Sequence, residues 1–176
     1  MAVKPMEPSL TALLKDRKSE VVGEWLEQTL RTYPESASRF LSLEKDPFRN
    51  PVGNTLKSGL TALCDHILGD ADPAEAAQAL DGIVRMRAVQ DFSAGQAVAF
   101  IFLFKRAMRG VLRGDVTRFP EEAAALEARV DELALRAFDV FMKCRQQTYE
   151  IKANEARRRV AILERSFQRK SSEPTG

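Results

Sequence analysis

Apolar residues return every three or four positions along most of the chain, and no stretch alternates strictly for long. That periodicity belongs to helices burying one face and gives no support to strands. Ser9 is placed to cap a short helix ending near Asp16. In the next helix Val21, Val22, Trp25, Leu26 and Leu30 share a face, and Pro34 stops it. A brief helix over 35–43 leads into the loop KDPFRNPVG. Asn50 then caps a helix running to about Leu68, with Pro51 at its first position, where the missing N–H costs nothing. Its stripe is Val52, Leu56, Leu60, Leu63 and Ile67. Asp72 and Pro73 repeat the device and open a helix to about Gln90, with Ala76, Leu80, Ile83 and Val84 on its apolar side. The pattern predicts an all-α chain.

The stretch RAVQDFSAGQAVAFIFLFKR needs separate treatment. Ser93 and Gln96 have capping-box spacing, so a helix is predicted to start there and run to about Leu112. Phe100, Ile101, Phe104, Met108 and Val111 fall on one face. Val98 and Phe102 point away from it, with Leu103 on the flank. A helix apolar on all sides of its first half is buried on all sides there. The helix after Pro120 shows the same excess. Leu126, Val130, Leu133, Ala137, Phe141 and Cys144 form one seam, while Leu135, Phe138 and Met142 form a second stripe opposite. Either the amino-terminal helices cover these spare faces or a second copy does. The expectation is a homodimer paired through Val98, Phe102, Leu103, Leu135, Phe138 and Met142.

No proline or glycine intervenes between Phe141 and Pro174, so this last helix is predicted to continue. Tyr149, Ala153, Ala156, Val160, Leu163 and Phe167 keep the four–three spacing of a coiled coil. Arg157, Arg158, Arg159 and Arg165, with Arg169 and Lys170, make it basic. Those arginines either meet an acidic partner or nucleic acid, or form a solvated coiled-coil face near a helix C-terminus, where cations are favoured; no DNA-binding motif or interleaved aromatic platform accompanies them. The predicted organisation is a domain over 1–145, a basic helical extension over 146–170 and a disordered tail over 171–176.

A composition of 44% hydrophobic and 30% charged residues suits a globular protein with a real core. A net charge of +2 argues against nucleic acid as a partner. The start MAVKPMEPSL lacks the apolar core of a signal peptide, and the VAFIFLF run is far short of the ~20 residues a spanning helix needs. No membrane insertion is expected, and two unpaired cysteines suit the cytoplasm.

Chemistry is sparse. His66 is the only histidine, and with Cys64 and Cys144 it cannot complete a zinc site. Its neighbours Cys64 and Asp65 point away from it on a helix, so they make no dyad. No phosphate loop or carboxylate pair is present, and neither an enzyme nor a cofactor is expected. Met86, Met108 and Met142 read as core before they read as a ligand pocket. Arg85 and Arg87 are expected to pair with Asp91 or with the loop at Asp46.

Trp25, the TYP at 32–34, the loop KDPFRNPVG and the segment RMRAVQDFSAGQAVAFIFLFKR together resemble a known family over roughly 10–144. That family is the N-terminal domain of RsbRD-type proteins, the RsbT co-antagonist regulators associated with bacterial stressosome signalling. The resemblance implies a globin-like, haem-free helical bundle that dimerises and serves as a sensory or regulatory input. A globin's proximal histidine would lie within 73–90, which has none. In such regulators a phosphorylatable STAS domain usually follows, whereas here only the basic helix and a short tail follow Cys144. The expectation is a sensory or regulatory interaction module in a protein complex, without that output domain. The alternatives are a structural adaptor docking through its C-terminal coiled coil and a small apolar-ligand or haem binder.

Overall fold

In the computed structural model, which describes residues 9–44, 46, 48–90 and 92–171, all four predicted cap positions are used. Ser9 Oγ accepts from the Ala12 N–H at 3.1 Å and starts α1 (Leu10–Asp16). After α2 (Lys18–Leu30) and α3 (Glu35–Leu43), Asn50 Oδ1 accepts from the Gly53 N–H at 2.8 Å and starts α4 (Pro51–Leu68). Asp72 does the same for α5 (Pro73–Ala88), accepting from Ala74 at 3.0 Å. The Ser93–Gln96 capping box opens α6 (Ala94–Ala99) with both reciprocal bonds made. Then follow α7 (Leu103–Leu112), the four-residue α8 (Asp115–Arg118) and the long α9 (Pro120–Ser171). Only helices occur among the described residues, so the chain is all-α with a long C-terminal helix. Asp91 and the tail from 172 lie outside the described residues, as do Lys45 and Pro47 of the loop.

The chain divides into two compact units, Met1–Phe141 and Met142–Gly176. In the first, α2 packs on both α4 and α7, and α4 packs on α5. Trp25 on α2 is fully buried, with its ring edge-on to Phe104 at 5.2 Å between centroids. Helices α4 and α5 approach closely at Gly59, where a Cβ would sit 2.7 Å from Ile83 Cδ1. A side chain there displaces the end of Ile83. The first part of α9 closes the unit. Its Glu122 accepts from the Thr11 N–H at 3.2 Å, and Arg129 Nη1 donates to the Ile67 carbonyl at 2.7 Å.

The predicted single helix over 93–112 is interrupted. Five successive N–H groups, Ile101 to Lys105, donate to the carbonyl three residues back rather than four. This tightened, 3₁₀-type turn separates α6 from α7 in the middle of VAFIFLF. Its cause is visible in the core. The buried Trp25 indole needs an acceptor, and Nε1–H donates to the Phe100 carbonyl at 2.6 Å.

The second unit, taken by itself, is the α9 segment beyond Phe141. Its side chains from 151 to 160 are all exposed. Among the described residues no helix is long and apolar enough to cross a membrane.

Candidate interaction surface

Two ion pairs set how α7 and α9 lie together within the first unit. Lys105 Nζ meets Asp131 Oδ1 at 2.6 Å, and Arg109 meets Glu127. A step forward on α7 is a step back on α9, so the two are antiparallel neighbours. Continuing that register sets Phe102 opposite the turn of α9 that holds Ala134 and Leu135. Phe102 and Leu135 face solvent, at 45% and 70% exposure, and Phe138 one turn on is 45% exposed. Met142, the next position of the α9 stripe, opens the second unit and is also exposed. Leu103 is half-buried.

Val98 is different, since it is buried within the chain. The tightened turn supplies the reason. Side chains four apart differ by about 40° around an α-helix but by about 120° around a 3₁₀-helix. Winding tightened between the two therefore turns Phe102 outward while Val98 stays inside.

One buried group carries a charge that sequence reasoning placed elsewhere. Arg87 on α5 is completely buried, and its guanidinium lies 4.1 Å from the Phe92 ring centroid, 5.0 Å from Tyr33 and 5.6 Å from Phe100. Nη2 donates to Thr32 Oγ1 at 2.9 Å and to the Gln96 carbonyl at 3.0 Å. Nε and Nη1 have no hydrogen-bond partner among the described residues, and neither has the Tyr33 hydroxyl. Burial pushes the Arg87 pKa down, partly offset by Tyr33. The expected pairing with an acid is thus replaced by ring faces, which attract a cation without desolvating a second charge. Arg85 does find a carboxylate, Asp81 at 2.6 Å.

This cage ties the end of α2, the end of α5 and the start of α6 together at one cation. A planar guanidinium suits it and an ammonium does not. Arg87→Lys is expected to lower unfolding stability by about 2 kcal/mol, and Arg87→Met by less, because methionine fills the space without burying a charge. Urea titration of the three proteins checks the order. A methionine variant weaker than the lysine one would show that the charge itself holds the junction.

His66 is half-buried on α4, and among the described residues no three histidine, cysteine or acidic groups are placed to hold a metal. Cys64 and Cys144 are both free and buried. Burial pushes the Cys64 thiol up to about 12, with Asp65 adding to the shift. Below pH 9 the thiol is protonated whether the chain is folded or not. As pH rises, the unfolded chain loses the proton first, so stability falls between about pH 9 and 12. At pH 10.5 wild type is expected to have lost about 2 kcal/mol more than Cys64→Ala relative to pH 7. Parallel pH profiles from urea midpoints would dismiss this cause.

A groove of about 810 Å³ opens beside α2 and α4, lined by Val22, Leu26 and Leu41 together with Lys18, Asn50 and Lys57. Its size suits a small molecule. Two of its polar groups are already engaged, however: Lys18 with Asp65 at 2.7 Å, and Asn50 with its helix cap and the Leu41 and Glu44 carbonyls. Met108 is core, Met86 is half-buried and Met142 is exposed. Arg157, Arg158, Arg159 and Arg165 are all exposed on α9, and Arg157 Nη1 reaches Asn154 Oδ1 at 3.4 Å.

The surface built from α7 and α9 thus carries the exposed apolar side chains Phe102, Leu135 and Phe138 beside two ion pairs. No curated protein and no solved structure matches the chain. A family does match, over residues 19–156, from the second residue of α2 into the second unit. The chain belongs to the family described as the RsbT co-antagonist protein rsbRD N-terminal domain.

Proposed function

We propose that this protein is a non-enzymatic, haem-free regulatory module of the cytoplasm that works as a homodimer within a larger protein complex. The observation that carries the reading is the exposed apolar pair Phe102 and Leu135, continued by Phe138, on adjacent antiparallel helices of a domain from a regulatory family. Solvated singly, these side chains need no explanation. Grouped on neighbouring helices, they form the half of a four-helix interface that a two-fold axis completes. The tightened turn sits beside this face, and its carbonyl at Phe100 is bonded to Trp25 in the core. A stimulus that shifts the core would reach the pairing face through that bond, with α9 carrying the change onward.

Two experiments test this together. Light scattering of the full chain over a concentration series is expected to give twice the chain mass. In the source organism, a chromosomal deletion is expected to alter the transcriptional response to stress, and wild type but not a pairing-deficient variant is expected to restore it. A monomer at every concentration overturns the pairing. A deletion without effect on that response overturns the regulatory role.

A further inference from the structure

We infer that the second unit pairs with the same segment of a second copy as a parallel, two-stranded coiled coil. This deepens the proposed function and rests on the chain being a homodimer. Met142, Tyr149, Ala156 and Leu163 recur at intervals of seven on α9, with Gln146, Ala153 and Val160 at the intervening positions, so the apolar spacing is complete from Tyr149 onward. The same interval read backwards in the sequence falls on Leu135. An ideal α-helix drifts about 20° per seven residues, so a strict seven-residue repeat held over three intervals marks a supercoiled seam rather than one side of a straight surface helix. Every side chain from Tyr149 to Val160 is exposed, as is Leu163, and a helical stretch with no packed face is marginal in water. This segment has the pattern of a seam and lacks its other half.

The charges beside the seam choose both the occupant and its direction. With Ala156 and Leu163 as d positions, Arg145, Lys152 and Arg159 fall at g, while Glu150, Arg157 and Glu164 fall at e. In a parallel pair each g residue meets the e residue five places on in the other copy. That sets Arg145 against Glu150 and Arg159 against Glu164, each twice by symmetry, with Lys152 and Arg157 as the one like-charged pair. In an antiparallel pair g faces g, so Arg145, Lys152 and Arg159 meet only one another. Residues five apart are not neighbours on their own helix, so these pairings form only between copies; within one copy Arg145 reaches the Tyr149 hydroxyl at 3.2 Å and Glu150 accepts from Gln146 at 2.9 Å. The run of three arginines is thereby divided. Arg157 and Arg159 flank the seam, while Arg158 and Arg165 stand on the outer face, available to an outside partner.

The test uses the full chain with single substitutions, Tyr149→Cys and Leu163→Cys, and Arg158→Cys as the outer-face control, each oxidised by copper phenanthroline. Disulfides do not form across Cα separations much above ~7 Å. Each seam variant is expected to cross-link to itself, and the control at least about fivefold less. Adding Arg159→Glu to Leu163→Cys is expected to lower the cross-linked fraction, and further adding Glu164→Arg to restore it. Cross-linking only when the two seam variants are mixed would mean an antiparallel pair and overturn the inference, as would no cross-linking at all. A failed cross-link in a protein that light scattering still finds dimeric overturns the coiled coil alone. A monomer overturns the proposed homodimer as well.

Discussion

Trp25→Ala is expected to destabilise the protein by about 4 kcal/mol, lowering its melting temperature by roughly 10 °C. Two losses combine. The first is volume, since a completely buried indole packed edge-on against Phe104 leaves a cavity that its neighbours close only in part. The second is polar. The Phe100 carbonyl accepts from Trp25 Nε1 at 2.6 Å inside the core, and without the indole it loses that partner. Trp25→Phe separates the two. It keeps most of the ring contact and removes the donor, and is expected to cost about 1–2 kcal/mol. Thermal melts and urea titrations of both variants check this. If Trp25→Phe were as stable as wild type, the indole bond would not be what holds the turn at Phe100, and the route proposed from core to surface would lose its first link.

The parts of this fold that sequence reasoning reached are those set by neighbours along the chain. Ser9, Asn50, Asp72 and Ser93 each cap a helix because a short polar side chain meets an N–H two or three residues ahead, a relation that needs no knowledge of the rest of the protein. The all-α class and the long last helix follow from periodicity and from the absence of breakers after Phe141. What sequence reasoning missed depends on contacts between distant positions. The interruption in VAFIFLF depends on a donor 75 residues away on α2, and no propensity of Phe or Ile announces it. The Arg87 cage gathers Thr32, Tyr33, Phe92 and Phe100 from different elements, while a local reading offers arginine only the nearest acid. A faint signal existed in the aromatic residues at 33, 92 and 100 around one arginine. Only the packing of the α2 end against the α5 end turns that signal into a site.

Phe102→Glu is expected to weaken pairing at least about 100-fold, so that the mass in light scattering falls toward that of one chain at micromolar concentration. The isolated subunit should tolerate the change. Phe102 is already half exposed, so a carboxylate at this position in a single subunit stays in water. The pair is different. A two-fold interface places the substitution twice in one apolar patch, and each buried carboxylate must shed its water or hold the surfaces apart. Melting by circular dichroism must accompany the mass measurement, because the interpretation requires a folded subunit. Leu135→Ser, on the facing helix, is the second probe, and its effect on mass should have the same sign. A folded Phe102→Glu protein with unchanged dimer affinity would remove the α7–α9 face from the assembly and leave α9 beyond Phe141 as its support. Loss of affinity with the Leu163→Cys cross-link still formed at high concentration would place both contacts in one parallel dimer.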